Sequence, residues 1–351
     1  MNIRQFMTIS IYALSFLIPL ILTFCLVPVN IRLSKKMGML DMPDNRRIHK
    51  EPVALAGGLS FALPIILMEI ILAIVFKEYQ DRFMELAIGG SLITALGFLD
   101  DKKQFTARYK LIFQTAIVSF MYFAGYRMNL LTNPFGNAIN LGIFSYPFTL
   151  LWYLAVINAF NLIDGIDGLA AGISAIAGGV ILTIGIINHD PFVSILSLIL
   201  MAGSIGFLYY NFFPARIFMG DTGALFLGFT IASICISGVG QFKGITTMTL
   251  LIPIVTLALP LIETSNTIFR RMKDNRHIFH ADKEHIHHKL LELGYSQKAI
   301  ALVLYFITFL FGLIAIGFSF SNKRLFLLIL ILLVFILFIL INLLYSKEFK
   351  K

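Results

Sequence analysis

The chain has 351 residues, of which 58% are hydrophobic and 13% charged, and its mean hydropathy is +0.86. That leaves too little polar surface to clothe a water-soluble globule, so lipid has to be the solvent. The net charge of +9 does not point to nucleic acid, because no groove-binding or single-strand motif organises it and the basic residues are spread through loops.

The first apolar run is long enough to span, and it reads as a retained helix instead of a cleaved signal. Crossing a hydrocarbon core of ~30 Å at 1.5 Å per residue takes roughly 20 apolar residues. Runs of about that length fall at 8–30, 55–76, 83–99, 109–126, 147–163, 169–188, 192–213, 224–242, 246–269, 299–318 and 325–345. Eleven spans predict an all-α polytopic membrane protein with its termini on opposite sides. The two cysteines, Cys25 and Cys235, lie inside such runs and read as small buried hydrophobes, with no disulfide framework.

Orientation follows from Lys and Arg, which stay on the cytoplasmic side. The loops after the odd-numbered spans hold 21 of them, against 7 at the N-terminus and in the other loops. The N-terminus is therefore expected outside and the C-terminus in the cytoplasm. The whole chain, 1–351, reads as one integral membrane domain without a convincing internal repeat. Its cytoplasmic loops lie approximately at 31–54, 100–108, 164–168, 214–223 and 270–298. The outer segment 127–146, with Asn133, Pro134 and Gly136, has the turn residues of a small hairpin.

Of nineteen acidic residues, fourteen fall on the inner side, where carboxylates beside hydrocarbon are costly unless paired, hydrated or bound to metal. Asp100 and Asp101 end the third span, followed by Lys102, Lys103 and Lys110. Such a pair is eased by a cation, after which one member can act as a base; a solvated helix end reads equally well. Next, Asn158, Asn161 and Asp164 precede a turn through Gly165, Asp167 and Gly168, an oxygen-rich set that suits magnesium held jointly with phosphates. The plain alternative is an Asp-Gly turn. In the stretch 210–223, Phe218 can stack a base, Asn211 can read an amide edge and Asp221 can hold a metal. Asp221 can equally be an N-cap, and Phe218 simple packing.

The inner loop 270–298 carries His277, His280, His285, His287 and His288 with Arg270, Arg271, Lys283 and Lys289. Zinc binding and plain solvation are two readings, but no cysteine joins the histidines. Donors to a diphosphate or sugar are the favoured reading. The loop 41–52, with Arg46, Arg47, His49 and Lys50, leads to Gly57 and Gly58, whose missing side chains would let backbone approach a ligand.

Five motifs in this order, across nearly the whole chain, resemble the polyprenyl-phosphate N-acetylhexosamine 1-phosphate transferases: the Gly57-Gly58 loop, Asp100-Asp101, the run 158–168, Phe218-Met219-Gly220-Asp221 and His285-Ile286-His287-His288. The histidine phrase looks like the WecA and TagO branch. The muramoyl-pentapeptide branch has three consecutive histidines there. The resemblance implies transfer of N-acetylglucosamine 1-phosphate from UDP-N-acetylglucosamine to undecaprenyl phosphate, giving the lipid diphosphate sugar and UMP, as the first membrane step of a cell-envelope glycan pathway. It implies Mg2+, with Mn2+ as a substitute, at a cytoplasmic site in the bacterial inner (plasma) membrane. The lipid bilayer is a further partner, nucleic acid is not, and a homodimer is left open.

The resemblance places the metal on Asp221 and Asn161, phosphate contacts on Lys50 and Lys110, and the uracil platform and reader on Phe218 and Asn211. Asp164 and Asp167 would line the nucleotide site, and Asn158 would be a further substrate-binding residue. Asp100, with Asp101 beside it, would be the base for the lipid phosphate. Arg270, Arg271, His285, His287 and His288 would hold the diphosphate and sugar. The alternatives are a phospho-N-acetylmuramoyl-pentapeptide transferase and, in another class, a membrane transporter or lipid flippase. Transporters place polar groups near the midplane; here Glu69 alone is clearly mid-span.

Overall fold

The computed structural model describes residues 3–42, 51–131, 139–237, 295–317, 328–333 and 335. The chain is mostly helical there: α1 (Ile3–Lys36), α2 (Leu59–Val75), α3 (Gln80–Lys103), α4 (Ala107–Phe123), α5 (Ser145–Ile163), α6 (Leu169–Ile187), α7 (Pro191–Asn211), α8 (Gly220–Ser237) and α9 (Gln297–Gly317). Seven of the helices are long and apolar enough to cross a membrane. α2 is apolar but shorter. Of the eleven expected spans, the one at 246–269 and most of the one at 325–345 lie outside the described residues.

The match between apolar runs and helices has a simple cause. In lipid every backbone N–H and C=O must find a partner within the chain, and a helix satisfies them locally. Polar residues follow the same rule: Thr94, Thr149, Ser233 and Thr308 each donate to the carbonyl four residues earlier. The loop 127–146 forms the expected hairpin, with β3 (Leu130–Leu131) paired antiparallel to β4 (Ile139–Asn140). Its Asn133, Pro134 and Gly136 lie outside the described residues.

α8 is the centre of the bundle. Every side chain from Thr222 to Ser237 is buried, and the helix packs on α3 and α5, with lighter contacts to α2, α6 and α7. Three neighbours reach it through glycine. A Cβ on Gly58 would lie 2.1 Å from the Gly223 nitrogen, one on Gly97 2.5 Å from the Asp221 carbonyl oxygen, and one on Gly228 2.6 Å from Ile157 Cα. Small residues at such crossings let helix backbones approach closely where no hydrophobic effect drives them together. α1 lies at the periphery and presents Leu14, Leu17, Ile21, Phe24 and Leu33 outward. Cys25 belongs to that exposed side, contrary to the expectation of burial, whereas Cys235 is buried.

The Gly57-Gly58 loop also departs from expectation. β1 (Leu40–Asp41) pairs antiparallel with β2 (Val53–Ala54), and β2 continues into a parallel bridge between Ala54 and Ile217. The Gly57 and Gly58 amides donate to the carbonyls of Phe218 and Met219, both at 2.9 Å. The glycines are thus occupied by the protein's own backbone. They seat α2 against the start of α8 and are not a ligand-facing surface.

Candidate active site

The C-terminal ends of α1, α3, α5 and α7 and the N-terminal ends of α6, α8 and α9 open on one cleft of about 1070 Å³. Among its lining residues are Asn161, Asp164, Asp167, Asn211, Phe218, Asp221 and Asp101, all singled out from sequence. Chain alternation alone brings these ends together; tertiary packing decides what each side chain does there.

Asp221 lies in the first turn of α8, one residue after Gly220, whose positive φ of 68° starts the helix. The orphan N–H groups of that turn are met from another helix. Asp101 at the end of α3 accepts from the Asp221 amide at 2.8 Å and, with its other oxygen, from the Thr222 amide at 3.0 Å and the Thr222 hydroxyl. Asp221 is therefore not the N-cap; Asp101 caps α8 across the bundle. Both of its oxygens therefore bind the helix that carries Asp221, while the residue also lines the cleft.

Lys110 at the start of α4 bridges the other carboxylates. Its Nζ donates to Asp100 Oδ2 at 2.8 Å and to Asp221 Oδ2. Asp100, 6% exposed, also accepts from the Phe105 amide at 2.6 Å. Neither Asp100 nor Lys110 lines the cleft. Both oxygens of Asp100 hold donors, an arrangement that orients Lys110.

The turn between α5 and α6 forms the facing wall. Gly168, with φ 77°, begins α6, and its amide donates to Asn211 Oδ1 at 3.1 Å, while Asn211 Nδ2 donates to the Ile217 carbonyl at 2.8 Å. Asp167 Oδ2 accepts from the Ala215 amide at 2.9 Å. The turn 164–168 and the loop 212–219 are thereby pinned to one another. Asn211 is 2% exposed with both ends of its amide on backbone, so it works as a strut at the cleft wall. Asn158 ties two helices together. Its amide donates to Gln114 Oε1 at 3.1 Å, joining α5 to α4, and it does not line the cleft.

Asp164 sits just past the end of α5. Burial, then the charges of Asp221, Asp101 and Asp167, push its carboxyl well above the usual carboxylate range. This is the electrostatic signature of a place where negative charge needs a cation. The oxygen donors available, Asn161, Asp164 and Asp221, are of the class that magnesium takes. Among the described residues no three acidic, histidine or cysteine side chains stand close enough to make a cage.

Of the remaining expected site residues, Lys50, Arg270, Arg271, His285, His287 and His288 lie outside the described residues. The cleft has further members that the sequence reading passed over: Lys35 at the end of α1, Arg216, and Gln297 at the start of α9. Arg216 was within a recognised motif and basic, which was a usable signal. Nothing local marked Gln297.

The chain matches a model described as glycosyl transferase family 4 over residues 83–239. It is 36% identical over 303 residues to a Bacillus subtilis protein named as a probable undecaprenyl-phosphate N-acetylglucosaminyl 1-phosphate transferase, covering 86% of this chain and 83% of that one. It is 29% identical to the Escherichia coli undecaprenyl-phosphate alpha-N-acetylglucosaminyl 1-phosphate transferase, across 78% of this chain and 74% of the other. A Listeria monocytogenes phospho-N-acetylmuramoyl-pentapeptide-transferase is 30% identical across 89% of this chain and 98% of its own length. With apolar helices gathered around one carboxylate-rich cleft and relatives of this extent, the chain belongs to glycosyl transferase family 4 as a multi-pass membrane protein.

Proposed function

We propose that the protein transfers N-acetylglucosamine 1-phosphate from UDP-N-acetylglucosamine to undecaprenyl phosphate, at a cleft facing the cytoplasm of the bacterial plasma membrane. The observation that carries the reading is the Asp100–Lys110–Asp221 chain of ion pairs at the edge of a cleft lined by Asn161, Asp164 and Asp167. The 36% identity to a relative named for N-acetylglucosaminyl 1-phosphate transfer, against 30% to one named for the muramoyl-pentapeptide donor, supports this donor.

Two anions have to meet, so the main task is electrostatic. An oxygen of the lipid phosphate bonds to the β-phosphorus, which bears the sugar; the bond from that phosphorus to the bridging oxygen breaks, and UMP leaves with the bridging oxygen. Asp221, with Asn161, would hold Mg2+, which when bound supplies charge neutralisation at the phosphates. Asp100 holds the Lys110 ammonium toward Asp221, and Lys110 offers its charge to a phosphate placed there. No residue has to remove a proton, since a phosphate monoester with second pKa near ~6 is already largely dianionic at neutral pH. Phe218 on the cleft wall is the surface for the uracil ring, and the loop carrying Arg270, Arg271, His285, His287 and His288 completes the diphosphate and sugar side.

The test is UMP release by the purified protein in detergent with undecaprenyl phosphate, comparing UDP-N-acetylglucosamine, its galactosamine epimer and the muramoyl-pentapeptide donor. Turnover should favour the first, require Mg2+, and fall about 100-fold or more in Asp221→Ala, the scale expected for losing a transition-state electrostatic group. Equal use of all three donors would defeat the substrate assignment. Undiminished turnover by Asp221→Ala would defeat the site.

A further inference from the structure

Gln297 is the first residue of α9 and lies beyond the stretch that matches the family model. It lines the same cleft as Asp164, Asp167 and Arg216, although it is only 7% exposed. Its carboxamide oxygen is buried and has no hydrogen-bond partner among the described residues. The helix start does not use it, because Ser296 Oγ accepts from the Ala299 amide at 3.2 Å and so supplies the cap. A neutral amide set at the edge of a cleft with an unmade hydrogen bond is suited to reading an uncharged polar edge, which the carboxylates around it cannot do without repelling phosphate.

The helix is also fixed in place. Two turns further along, the Tyr305 hydroxyl donates to the Gly168 carbonyl at 2.6 Å. Its ring fills the notch at Gly172, where a Cβ would come within 2.1 Å of it. Gly168 is the residue that turns the chain from Asp164 and Asp167 into α6, so α9 and the cleft wall are held in one register. Rigid support of this kind is what a specificity contact needs.

We propose that Gln297 is a specificity-determining residue that reads a hydrogen-bond donor on the sugar nucleotide through its carboxamide. The donor is an N–H of the base or of the acetamido group, or a sugar hydroxyl. The proposal rests on the reading under Proposed function, and the experiment separates the two. Full-length wild type, Gln297→Leu and the near-isosteric Gln297→Met are assayed for UMP release at saturating undecaprenyl phosphate. Loss of one neutral hydrogen bond should raise the donor KM about 3- to 10-fold, while kcat and the KM for the lipid stay within about twofold. Inhibition by UMP adds the position. A parallel weakening of UMP places the contact on the nucleotide, and unchanged UMP inhibition places it on the sugar.

A donor KM within twofold of wild type in either folded variant, or a loss confined to kcat, overturns the proposal. If wild type itself does not turn over this donor, the proposed function falls, and Gln297 is judged by equilibrium binding of UMP and UDP-N-acetylglucosamine to the same proteins. Equal binding by wild type and both variants then overturns it.

Discussion

Asp101 and Asp164 are both acidic residues on the cleft, yet the structure gives them opposite tasks. Asp101 ends in three hydrogen bonds to the first turn of α8, so removing it should act as loss of a cap. Asp101→Ala should lower stability by about 1–2 kcal/mol and reduce turnover through misplacement of Asp221, and Asp101→Asn should fall between it and wild type. Heat denaturation in detergent measures the first effect; an Ala variant as stable as wild type would sink the capping role. Asp164 carries a raised pKa. An unfolded aspartate titrates near ~3.9. Between that value and the folded one, the native state keeps a proton that the unfolded chain has released, so stability falls as pH rises through this window. Metal-free wild type should therefore lose thermal stability as pH rises from about 4, and Asp164→Asn should decline less steeply. Identical slopes would contradict the burial and charge argument. Neither distinction was legible in the sequence, where both residues were simply carboxylates at helix ends.

Among the elements, α8 sets the site, because its first turn carries Asp221 and its flanks are packed by glycines on three sides. Gly58→Ala puts a methyl carbon 2.1 Å from the Gly223 nitrogen, and the obstacle is backbone that cannot rotate away. Overpacking of this sort costs about 1–3 kcal/mol, and α2 should be pushed off the start of α8 with loss of turnover. Gly179→Ala in α6 is the control, since its Cβ would meet nothing nearer than Met201 Sδ at 3.5 Å. That variant should be neutral or slightly stabilising, because alanine is the better helix former. Comparable unfolding temperatures for the two variants would remove the close-packing account. The helices themselves were legible from apolar runs. The expected spans at 147–163 and 169–188 agree with Ser145–Ile163 and Leu169–Ile187 to within two residues, because lipid imposes both the composition and the length. The purpose of Gly57 and Gly58 was not legible, since a glycine near a motif looks the same whether backbone or ligand approaches it.

For the whole molecule, the excess of Lys and Arg in alternate loops predicts which end of the bundle faces the cytoplasm. The cleft end, with Arg216, should be inside, and the opposite end, where Ile143 is 87% exposed just before α5, should be outside. In a Cys25→Ser background, a membrane-impermeant thiol reagent should label Ile143→Cys on intact cells and Arg216→Cys after permeabilisation. The reverse pattern would invert the proposed topology and remove the cytoplasmic site.

The sequence by itself determined that this is a multi-span helical membrane protein and which carboxylates would share one end of it. Hydropathy acts over a stretch of neighbouring residues, and alternation of spans sorts their ends without any knowledge of packing. Only the tertiary structure decided that Asp101 is a cap, that Asn211 and Asn158 are struts, that Gly58 faces α8 and Gly57 the segment just before it, and that Gln297 belongs to the cleft. The reason is distance along the chain. Asp101 meets Thr222 across 121 residues and Tyr305 meets Gly168 across 137, and partners so far apart are chosen by how helices pack, which no local pattern records.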